Sequence, residues 1–556
     1  MSGGSVSESH SSNFLVEYIT GAFRSLDFHQ KIMAAGLVLV ITAIISGLFM
    51  YLMRQTIIVM SRHIEYDQKN EIFSHYQSLD SAFFRKNATG DLMNRISEDV
   101  SRVRMYTGPA IMYFVNLAAV IGFSIYFMIH SDPGLTLIAL SPLPFLALTI
   151  YIVNTIIHKK SEKVQVLLSD LTTASQESYS GIRVIKSFVQ ESSMTRYFNE
   201  KSEEYRKSAL SLAKTEAIYF PGMGLLIGLS TILTILTAGM GVILQEPGAS
   251  VGKIAEFVMY IQMLTFPVSA IGWTASMTQR AATSQKRINE FLQTDSLIKD
   301  QPGARNTVLK GGIEFKGVSL VYENTGITAL KDFNLKIKEG EKLAIVGKTG
   351  SGKTSIAQLL LRMYDVSGGE VLLDGIPVKD IRLQNLRSQI SYVPQDVFLF
   401  SDSISNNISF GNPEADDAQV RKAASNAAID EEILSFPAGF DTMVGERGVT
   451  LSGGQKQRIS IARALLKKPS IFILDDCLSA VDSKTENRIA STFNSSLAGK
   501  TTIIITHRLM PSLQFDRILV LDKGVIAEQG THEELLALKG VYEELFNRQN
   551  SKDAEI

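Results

Sequence analysis

The chain has 556 residues, of which 55 are lysine or arginine and 56 are aspartate or glutamate, so its formal net charge is −1 at pH 7. This near balance gives no reason to expect nucleic acid as a partner or a polybasic membrane patch. The length allows two or three domains, and a mean hydropathy of +0.11 predicts a membrane-embedded part. Because Cys477 is the single cysteine, a disulfide framework is excluded.

The first 30 residues are predicted to form a polar tail. Residues 1–5 are flexible and polar, and they lack the apolar core of a signal peptide. The stretch 13–30 is too short to cross a bilayer, and Glu17, Arg24 and Asp27 interrupt it.

Five apolar stretches follow, each long enough, at roughly 20 residues, to cross a bilayer. They run from Ile32 to Met53, Pro109 to His130, Gly134 to Ile157, Ala217 to Leu244 and Ile254 to Met277. The connections 54–107 and 158–216 are long and rich in lysine and arginine, whereas 131–133 and 245–250 are short and contain neither. By the positive-inside rule the long connections are cytoplasmic, and so is everything after the last span.

The long connections are predicted to be helices that continue out of the membrane. No proline occurs from Ile32 to Asp80, and about 49 residues at about 1.5 Å each make roughly 73 Å, more than twice a bilayer core of about 30 Å. A second proline-free run extends from Phe145 to Phe220. Helices of this length can carry force between a membrane pathway and a cytoplasmic domain.

A phosphate-binding loop (P-loop) lies between a strand-like run, 343–346, and a helix-like run, 355–363. Its sequence is Gly347-Lys348-Thr349-Gly350-Ser351-Gly352-Lys353-Thr354. Consecutive N–H groups and a helix N-terminus favour an anion here, and glycines let the backbone approach phosphate oxygens. We expect the loop and Ser355 to bind a nucleoside triphosphate, with Lys353 at the β- and γ-phosphates and the Thr354 hydroxyl on Mg²⁺.

Further groups that suit a nucleotide site follow this loop. A second glycine-rich motif, Leu451-Ser452-Gly453-Gly454-Gln455, comes about a hundred residues later. Residues 471–474 predict a buried parallel strand that delivers Asp475 and Asp476 at its carboxyl end, where open α/β sheets place ligand groups. Residues 502–506 predict another such strand, which leads into His507. We expect Asp475 to hold Mg²⁺ and His507 to sense a γ-phosphate.

This order of motifs resembles that of ATP-binding cassette (ABC) proteins, and the resemblance covers nearly all of the chain. It implies an all-α transmembrane bundle of the exporter type, followed by an α/β P-loop NTPase domain. In that family each ATP lies between two nucleotide-binding domains, so the P-loop of one faces the LSGGQ helix of the other. The resemblance therefore implies a dimer that uses ATP and Mg²⁺.

Several roles are carried over by position. Tyr322 matches the aromatic residue that stacks on adenine, and Gln395 matches the loop glutamine near Mg²⁺ and the attacking water. Residues Ser452 to Gln455 match the signature that contacts the nucleotide across the dimer. Four segments match longer elements of the family: 81–91 and 181–188 the two coupling helices, 442–448 a segment that senses the membrane domain, and 479–482 a loop between sites.

One catalytic position departs from the family. The residue after the Mg²⁺ aspartate is usually a glutamate that aligns water for attack, but here it is Asp476. The shorter side chain loses about 1.5 Å of reach, and a displacement of about 1 Å can cost on the order of 10²-fold, so slow hydrolysis is expected. In the family this substitution often marks a heterodimer with one weak site. The intact LSGGQ fits a heterodimer, whereas the retained Gln395 and His507 fit a slow homodimer, and both stay open.

A second departure concerns topology. Family members of this type have six spans with both ends inside, whereas five spans would place the N-terminal tail outside. Either a first transmembrane helix is missing from this chain, or the chain is a five-span variant with an exported tail. We favour the missing helix.

The sequence thus predicts an ATPase that exports a lipophilic or amphipathic compound across a bacterial inner membrane, as a homodimer or heterodimer of half-transporters. The alternative is a poorly hydrolysing regulatory subunit that gates a partner transporter. The predicted domains are the tail (1–30), the transmembrane domain (31–290), a linker (291–311), the nucleotide-binding domain (312–548) and a polar end (549–556). Polar and aromatic side chains in the spans could line a substrate cavity, although helix packing accounts for them equally well: Asn116, Asn154, Gln262 and Trp273.

Overall fold

The computed structural model describes residues 27–445, 448–478, 482–507 and 513–554. The chain divides into two compact units. The first, Met1–His75 and Gly90–Thr294, is helical in its described part. The second, Tyr76–Thr89 and Asp295–Ile556, contains the strands of the described residues. The predicted N-terminal tail lies largely outside the described residues, and the predicted domain limits stay a prediction.

Helices make up most of residues 28–292. In chain order they are α1 (Phe28–Ser78), α2 (Ser81–Lys86), α3 (Thr89–Asn94), α4 (Val100–Met105), α5 (Ile111–Ser131), α6 (Pro133–Leu140), α7 (Leu143–Ser180), α8 (Ile182–Ser187), α9 (Glu191–Ile243) and α10 (Val251–Leu292). Two π-helical turns, Arg95–Asp99 and Tyr106–Ala110, flank α4.

The five apolar stretches predicted from the sequence are confirmed as helices. Among the described residues, five helical segments are long and apolar enough to cross a membrane: Phe28–Ser78, Thr89–Ser131, Pro133–Ser180, Glu191–Ile243 and Val251–Leu292. The most apolar window of the first has no buried residue in this single chain. Such a surface requires lipid or another protein to cover it.

One of the two predicted long helices is observed and the other is divided. Helix α1 has 51 residues, which correspond to about 77 Å. A continuous helix from Phe145 to Phe220 is wrong, because α7 ends at Ser180 and α9 begins at Glu191. Gly181 caps α7 with a φ of −90° and donates its N–H to the Glu177 carbonyl at 2.8 Å, so the helix ends there without any proline. The break coincides with the predicted coupling segment 181–188.

A polar cluster holds α10 against the segment before α5. Asp99 is 2% exposed and accepts a hydrogen bond from the Ser284 hydroxyl at 2.8 Å. Arg287 lies 3.5 Å from the second Asp99 carboxylate oxygen and 2.7 Å from Asp91. Arg95 also contacts Asp91, at 2.6 Å. Because an unpaired buried carboxylate is costly, these contacts fix how the two segments pack.

The second unit contains two sheets. The strands are β1 (Ile313–Tyr322), β2 (Ile327–Ile337), β3 (Lys342–Gly347), β4 (Gly368–Leu373), β5 (Ile376–Pro377), β6 (Ile390–Val393), β7 (Ile471–Asp475), β8 (Thr501–Ile505), β9 (Arg517–Asp522) and β10 (Val525–Gly530). One sheet is antiparallel, in the order β2-β1-β4-β5. The other has the order β10-β9-β3-β8-β7-β6 and is parallel except at β10.

Helices cover these sheets and complete the α/β architecture predicted from the sequence. They are α11 (Lys353–Leu360), α12 (Leu383–Ser388), α13 (Ile404–Ser409), α14 (Asp417–Asn426), α15 (Asp430–Ser435), α16 (Gly453–Leu466), α17 (Ser483–Ser496), α18 (His532–Ala537) and α19 (Val541–Ala554). One apolar core includes residues of α11, β1, β2 and β3. A second includes residues of α13 to α16 and β7. The P-loop helix and the helix after LSGGQ therefore belong to different layers of this unit.

Removing the buried carboxylate of the polar cluster tests its contribution to stability. Asp99→Ala leaves the Ser284 hydroxyl and Arg287 without this acceptor and is expected to destabilise the chain by about 2–3 kcal/mol. Asp91→Ala is the control, because the Asp91 side chain is 41% exposed and such pairs contribute about 1 kcal/mol or less. The midpoint temperature for loss of monodisperse protein in detergent is the measurement. Equal losses in both variants would contradict the assignment.

Candidate functional site

The P-loop joins β3 to α11, as the sequence predicts. Strand β3 is buried from Leu343 to Gly347 and lies between two parallel strands, β8 and β9. Gly352 precedes α11 with a φ of +100°, and a Cβ atom there would lie 2.3 Å from the Ala329 carbonyl oxygen. Gly350 also has a positive φ, +81°, but a Cβ atom there would meet nothing within 4 Å. Glycine is therefore required at Gly352 by both conformation and space.

Lys353 is buried at the start of α11. It is 5% exposed, and its Nζ donates to the carbonyl oxygens of Gly347 and Lys348, each at 2.9 Å. Burial lowers the pKa of Lys353 to about 8, although the nearby carboxylates of Asp475 and Asp476 act to raise it. The ammonium group is thus held inside the loop, next to the two acidic side chains.

The structure brings the two predicted Mg²⁺ ligands of the P-loop and β7 together. Asp475 is 1% exposed and accepts hydrogen bonds from the Thr354 hydroxyl and, at 3.1 Å, from the Tyr392 hydroxyl. Burial raises the pKa of Asp475, and these hydrogen bonds oppose the rise. A hydroxyl beside a carboxylate offers the hard oxygen ligands that Mg²⁺ prefers.

Gln395 and Asp476 also meet at this edge of the sheet. The Gln395 side-chain amide donates to the Asp476 carboxylate at 3.4 Å. The Asp476 N–H donates to the Ile505 carbonyl at 2.7 Å, so the residue is attached to the end of β8. Its φ of +46° lies in the left-handed region, which aspartate tolerates better than most residues.

His507 lies beside the P-loop. It follows β8, is exposed, and forms a hydrogen bond with the Gly347 backbone. Partial desolvation lowers the pKa of His507, and the charge of Lys353 lowers it further, whereas the two aspartates oppose the shift. The carboxyl ends of the parallel strands β3, β6, β7 and β8 thus lie at one edge of the sheet. They bring together residues that the sequence singled out: Lys353, Thr354, Gln395, Asp475, Asp476 and His507.

Tyr322, the residue expected to stack on adenine, ends β1 and contacts the P-loop helix. Its hydroxyl lies 2.9 Å from the Ser355 hydroxyl and donates to Gln358 at 2.8 Å. Its ring packs edge-on against Tyr364, with centroids 5.1 Å apart and an interplanar angle of 87°. Tyr322 and Ser355, both expected to bind nucleotide, are therefore direct neighbours.

The LSGGQ signature forms an exposed helix N-terminus. Ser452 and Gly453 are exposed, and Ser452 caps α16 in a reciprocal capping box with Gln455. The Gln455 amide donates to Glu432 at 3.0 Å, and Arg458 contacts the same carboxylate at 2.6 Å. Burial acts to raise the pKa of Glu432, but these hydrogen bonds outweigh it and lower the pKa. The helix end thus presents unpaired N–H groups where an anion can approach.

Some predicted residues cannot be placed, and some residues of the site were not predicted. Glu446, Arg447 and the loop residues Ser479 to Val481 lie outside the described residues. The sequence did not single out Tyr364, Tyr392 or Glu432. Their only local signal was proximity to a motif: Tyr392 lies three positions before Gln395, and Tyr364 follows α11.

Comparisons with known proteins identify the same family in both halves of the chain. The family described as the ABC transporter transmembrane region matches residues 5–268, and the family described as ABC transporter matches residues 330–479. The probable multidrug resistance ABC transporter ATP-binding/permease protein YheI of Bacillus subtilis is 38% identical over 88% of this chain and 83% of its own length. A putative multidrug export ATP-binding/permease protein of Staphylococcus aureus is 35% identical over 94% of this chain and 90% of its own length.

A solved structure shares the fold. The structure of a bacterial Atm1-family ABC exporter with ATP bound superposes with a TM-score of 0.79 and 26% identity. The match covers 96% of this chain and 94% of that one. Both halves of the chain, and their order, are thus found together in a single known architecture.

The buried lysine predicts proton uptake on nucleotide binding. Phosphate oxygens stabilise the ammonium form, so binding raises the Lys353 pKa above its value of about 8 in the structure. Above pH 8 the site must take up a proton, and we expect ATP affinity to fall by up to about tenfold per pH unit. Calorimetry in two buffers of different ionisation enthalpy measures the uptake. Lys353→Arg stays charged and serves as the control; equal uptake in that variant would assign the proton to another group.

The two P-loop glycines should respond differently to alanine. Gly352→Ala places a methyl group against the Ala329 carbonyl at a positive φ, so we expect ATP binding to weaken by at least about tenfold. Gly350→Ala adds backbone strain of about 1–2 kcal/mol without a clash. Equilibrium ATP binding, with thermal unfolding as a check of folding, separates the two. Wild-type binding by Gly352→Ala would show that the loop geometry is wrong.

Proposed function

Because the chain belongs to the ABC transporter family, with a transmembrane region and an ATPase domain fused in the exporter order, we propose that it exports a lipophilic or amphipathic compound. The family carries out ATP-driven transport. The observation that carries the proposal is the convergence of the P-loop, Asp475, Asp476, Gln395 and His507 on one edge of a sheet, in a chain that also has five membrane-spanning helices. Relatives named for multidrug export support the compound class.

ATP and Mg²⁺ fit the residues at this site. Mg²⁺, when bound, would supply positive charge at the phosphate oxygens where negative charge develops. Thr354, Asp475 and Gln395 would hold it through oxygen atoms, and Lys353 would hold the β- and γ-phosphates. Tyr322 would present its ring to adenine. Asp476 would orient the attacking water with Gln395, and His507 would hold the γ-phosphate.

We propose that two half-transporters form the working assembly. The exposed N-terminus of α16, residues Ser452 to Gln455, would face the P-loop of the other half, because an ATP phosphate suits both elements. The two P-loops and the two signatures would then close on two ATP molecules, and rigid-body motion through the long helices would switch access. The partner is a second copy of this chain or a different half-transporter.

Slow hydrolysis remains part of the proposal. Asp476 contacts Gln395 only at 3.4 Å, and its side chain is one methylene shorter than the family's glutamate. The comparisons give no support to the alternative of a regulatory subunit, since the relatives are named as ATP-binding/permease proteins.

The membrane and the substrate are also proposed. We place the chain in the bacterial plasma membrane with the ATPase unit in the cytoplasm, as the basic long connections favour. Aromatic and amide groups come together within the spans: Trp273 packs edge-on against Tyr113 at 5.2 Å, and the Asn154 amide lies against the backbone of Gly272. Such groups accommodate an amphipathic molecule, because polar groups at this depth are costly in lipid.

Transport by reconstituted protein tests the function. Proteoliposomes with outward-facing ATPase units should accumulate an amphipathic dye when supplied with Mg²⁺ and ATP, and Lys353→Ala should abolish accumulation. A regulatory subunit would bind ATP but would move no dye when ATP is supplied. ATP hydrolysis without any transport of several amphipathic dyes would overturn the proposed substrate class.

Restoring the family's glutamate should speed hydrolysis. Asp476→Glu returns about 1.5 Å of reach, so turnover should rise by up to about 10²-fold, with little change in ATP affinity. The measurement is steady-state ATPase rate in lipid, with Asp476→Asn as a control for the charge. If Asp476→Glu is no faster than wild type, the shortened reach does not limit the rate.

Cross-linking tests the dimer. Cys477 is the single cysteine and is buried, so an introduced cysteine is the only accessible thiol. We expect a mixture of Lys348→Cys and Ser452→Cys chains to form a disulfide-linked pair that ATP enhances. Lys86→Cys replaces Ser452→Cys in the control mixture. Without any pair in the test mixture, the proposed contact between the P-loop of one copy and the signature of another is wrong.

A further inference from the structure

A short segment between two membrane helices belongs to the ATPase unit. Residues 76–89, which include α2, cluster with residues 295–556. Asp80 accepts hydrogen bonds from the Leu297 N–H at 2.6 Å and from the Ser296 hydroxyl at 3.1 Å. The Ser81 hydroxyl lies 3.4 Å from the Met363 sulfur, beyond α11. Burial acts to raise the pKa of Asp80, but its hydrogen bonds outweigh burial and lower the pKa, so it remains a charged anchor.

Arg85, on the same short helix, lies over two tyrosine rings. The guanidinium carbon is 5.6 Å from the ring centroid of Tyr364 and 6.0 Å from that of Tyr322. Both distances fall within the range of a cation–π contact. The positive charge of Arg85 acts to lower the pKa of Tyr364, against a larger rise caused by burial. Arg85 is thus electrostatically coupled to this pair of rings.

These contacts restrict rotation of the Tyr322 ring about its long axis. Its hydroxyl is held by Ser355 and Gln358, and its Cα is held in β1. A ring fixed at both ends can still turn about its long axis, and that rotation is soft for tyrosine. The edge-on contact with Tyr364 and the guanidinium of Arg85 restrict the rotation, so they decide where the ring face points. Stacking depends on that face.

We propose that Arg85 is a positioning residue for the base end of the ATP site, acting through Tyr322. This inference rests on the proposed stacking of adenine on Tyr322. Because the guanidinium of Arg85 contacts the rings of Tyr322 and Tyr364, we expect it to affect recognition of the base and to leave recognition of the phosphates unchanged. Because α2 lies between α1 and α3, occupation of the base site would also stabilise a segment that continues into two membrane-spanning helices.

Binding of two ligands distinguishes recognition of the base from recognition of the phosphates. MgATP and magnesium tripolyphosphate share the phosphate chain, but only ATP has a base. For full-length Arg85→Ala protein in lipid nanodiscs, we expect ATP binding to weaken about threefold to tenfold and tripolyphosphate binding to stay unchanged. The KM for ATP should rise by the same factor with kcat unchanged. Arg85→Lys keeps the charge without the planar group, so its ATP affinity should lie between those of the wild type and Arg85→Ala.

Lys86→Ala is the matched control. Lys86 is exposed, follows Arg85 on α2 and carries the same charge. It should leave both ligands unaffected. Equal effects of Arg85→Ala and Lys86→Ala would mean that net charge alone is responsible, and an equal loss of tripolyphosphate binding by Arg85→Ala would mean general damage to the site. Either result overturns the proposal.

Tyr322→Leu separates the proposed stacking of adenine from the proposed role of Arg85. If this variant binds ATP and tripolyphosphate as wild type does, adenine does not stack on Tyr322 and both proposals fail. If Tyr322→Leu weakens ATP alone while Arg85→Ala does not, only the role of Arg85 fails. In the double variant, Arg85→Ala should have no further effect, because it acts through the ring.

Thermodynamic reciprocity gives a second measurement. If Arg85 affects ATP affinity, ATP must in turn stabilise the contacts of Arg85. Hydrogen exchange in residues 81–87 should therefore slow by about the same threefold to tenfold with ATP, and less with tripolyphosphate. In Arg85→Ala the difference between the two ligands should vanish. Equal protection by both ligands in the wild-type protein would overturn the link between the base site and this segment.

Discussion

The buried ammonium group of Lys353 is the interaction on which the rest of the candidate nucleotide site depends. Placing a charge at this depth is unfavourable, which is why burial lowers its pKa to about 8. The carbonyl groups of Gly347 and Lys348 compensate through hydrogen bonds, and the carboxylates of Asp475 and Asp476 through their charge. These groups converge only because β3 and β7 flank β8 with their carboxyl ends at one edge. The same geometry places Thr354 on Asp475 and Gln395 on Asp476.

The membrane half follows a different constraint. Backbone groups in lipid must be satisfied within the segment, which is why the apolar spans are helices. The buried Asp99 accepts a hydrogen bond from Ser284 and forms an ion pair with Arg287. The short segment around α2 is the exception, because its Asp80 and Arg85 contact residues of the ATPase unit. In the chain, α2 is directly preceded by α1 and followed by α3.

At Asp476, side-chain length and backbone conformation together limit the reach of the carboxylate. Its N–H is bonded to the end of β8 and its φ is positive, so the side chain starts from a fixed point. The carboxylate reaches the Gln395 amide only at a long distance. A glutamate would extend further from the same backbone, whereas the aspartate can gain reach only if β7 or the loop carrying Gln395 moves. The proposed slow turnover would rest on this geometry, since Gln395 and His507 are retained.

The sequence by itself determined the features that depend on residues close together in the chain. The five spans follow from uninterrupted apolar runs, the P-loop from eight consecutive residues, and Asp475 and Asp476 from the end of one apolar strand. Only the tertiary structure decided which distant groups meet: Tyr392 with Asp475, Glu432 with Gln455, and Arg85 with Tyr322 and Tyr364. It also decided where the run after Phe145 breaks, because the absence of proline allows a helix to continue but does not oblige it to. Contacts between distant residues depend on how strands and helices pack, and local periodicity carries no information about that packing.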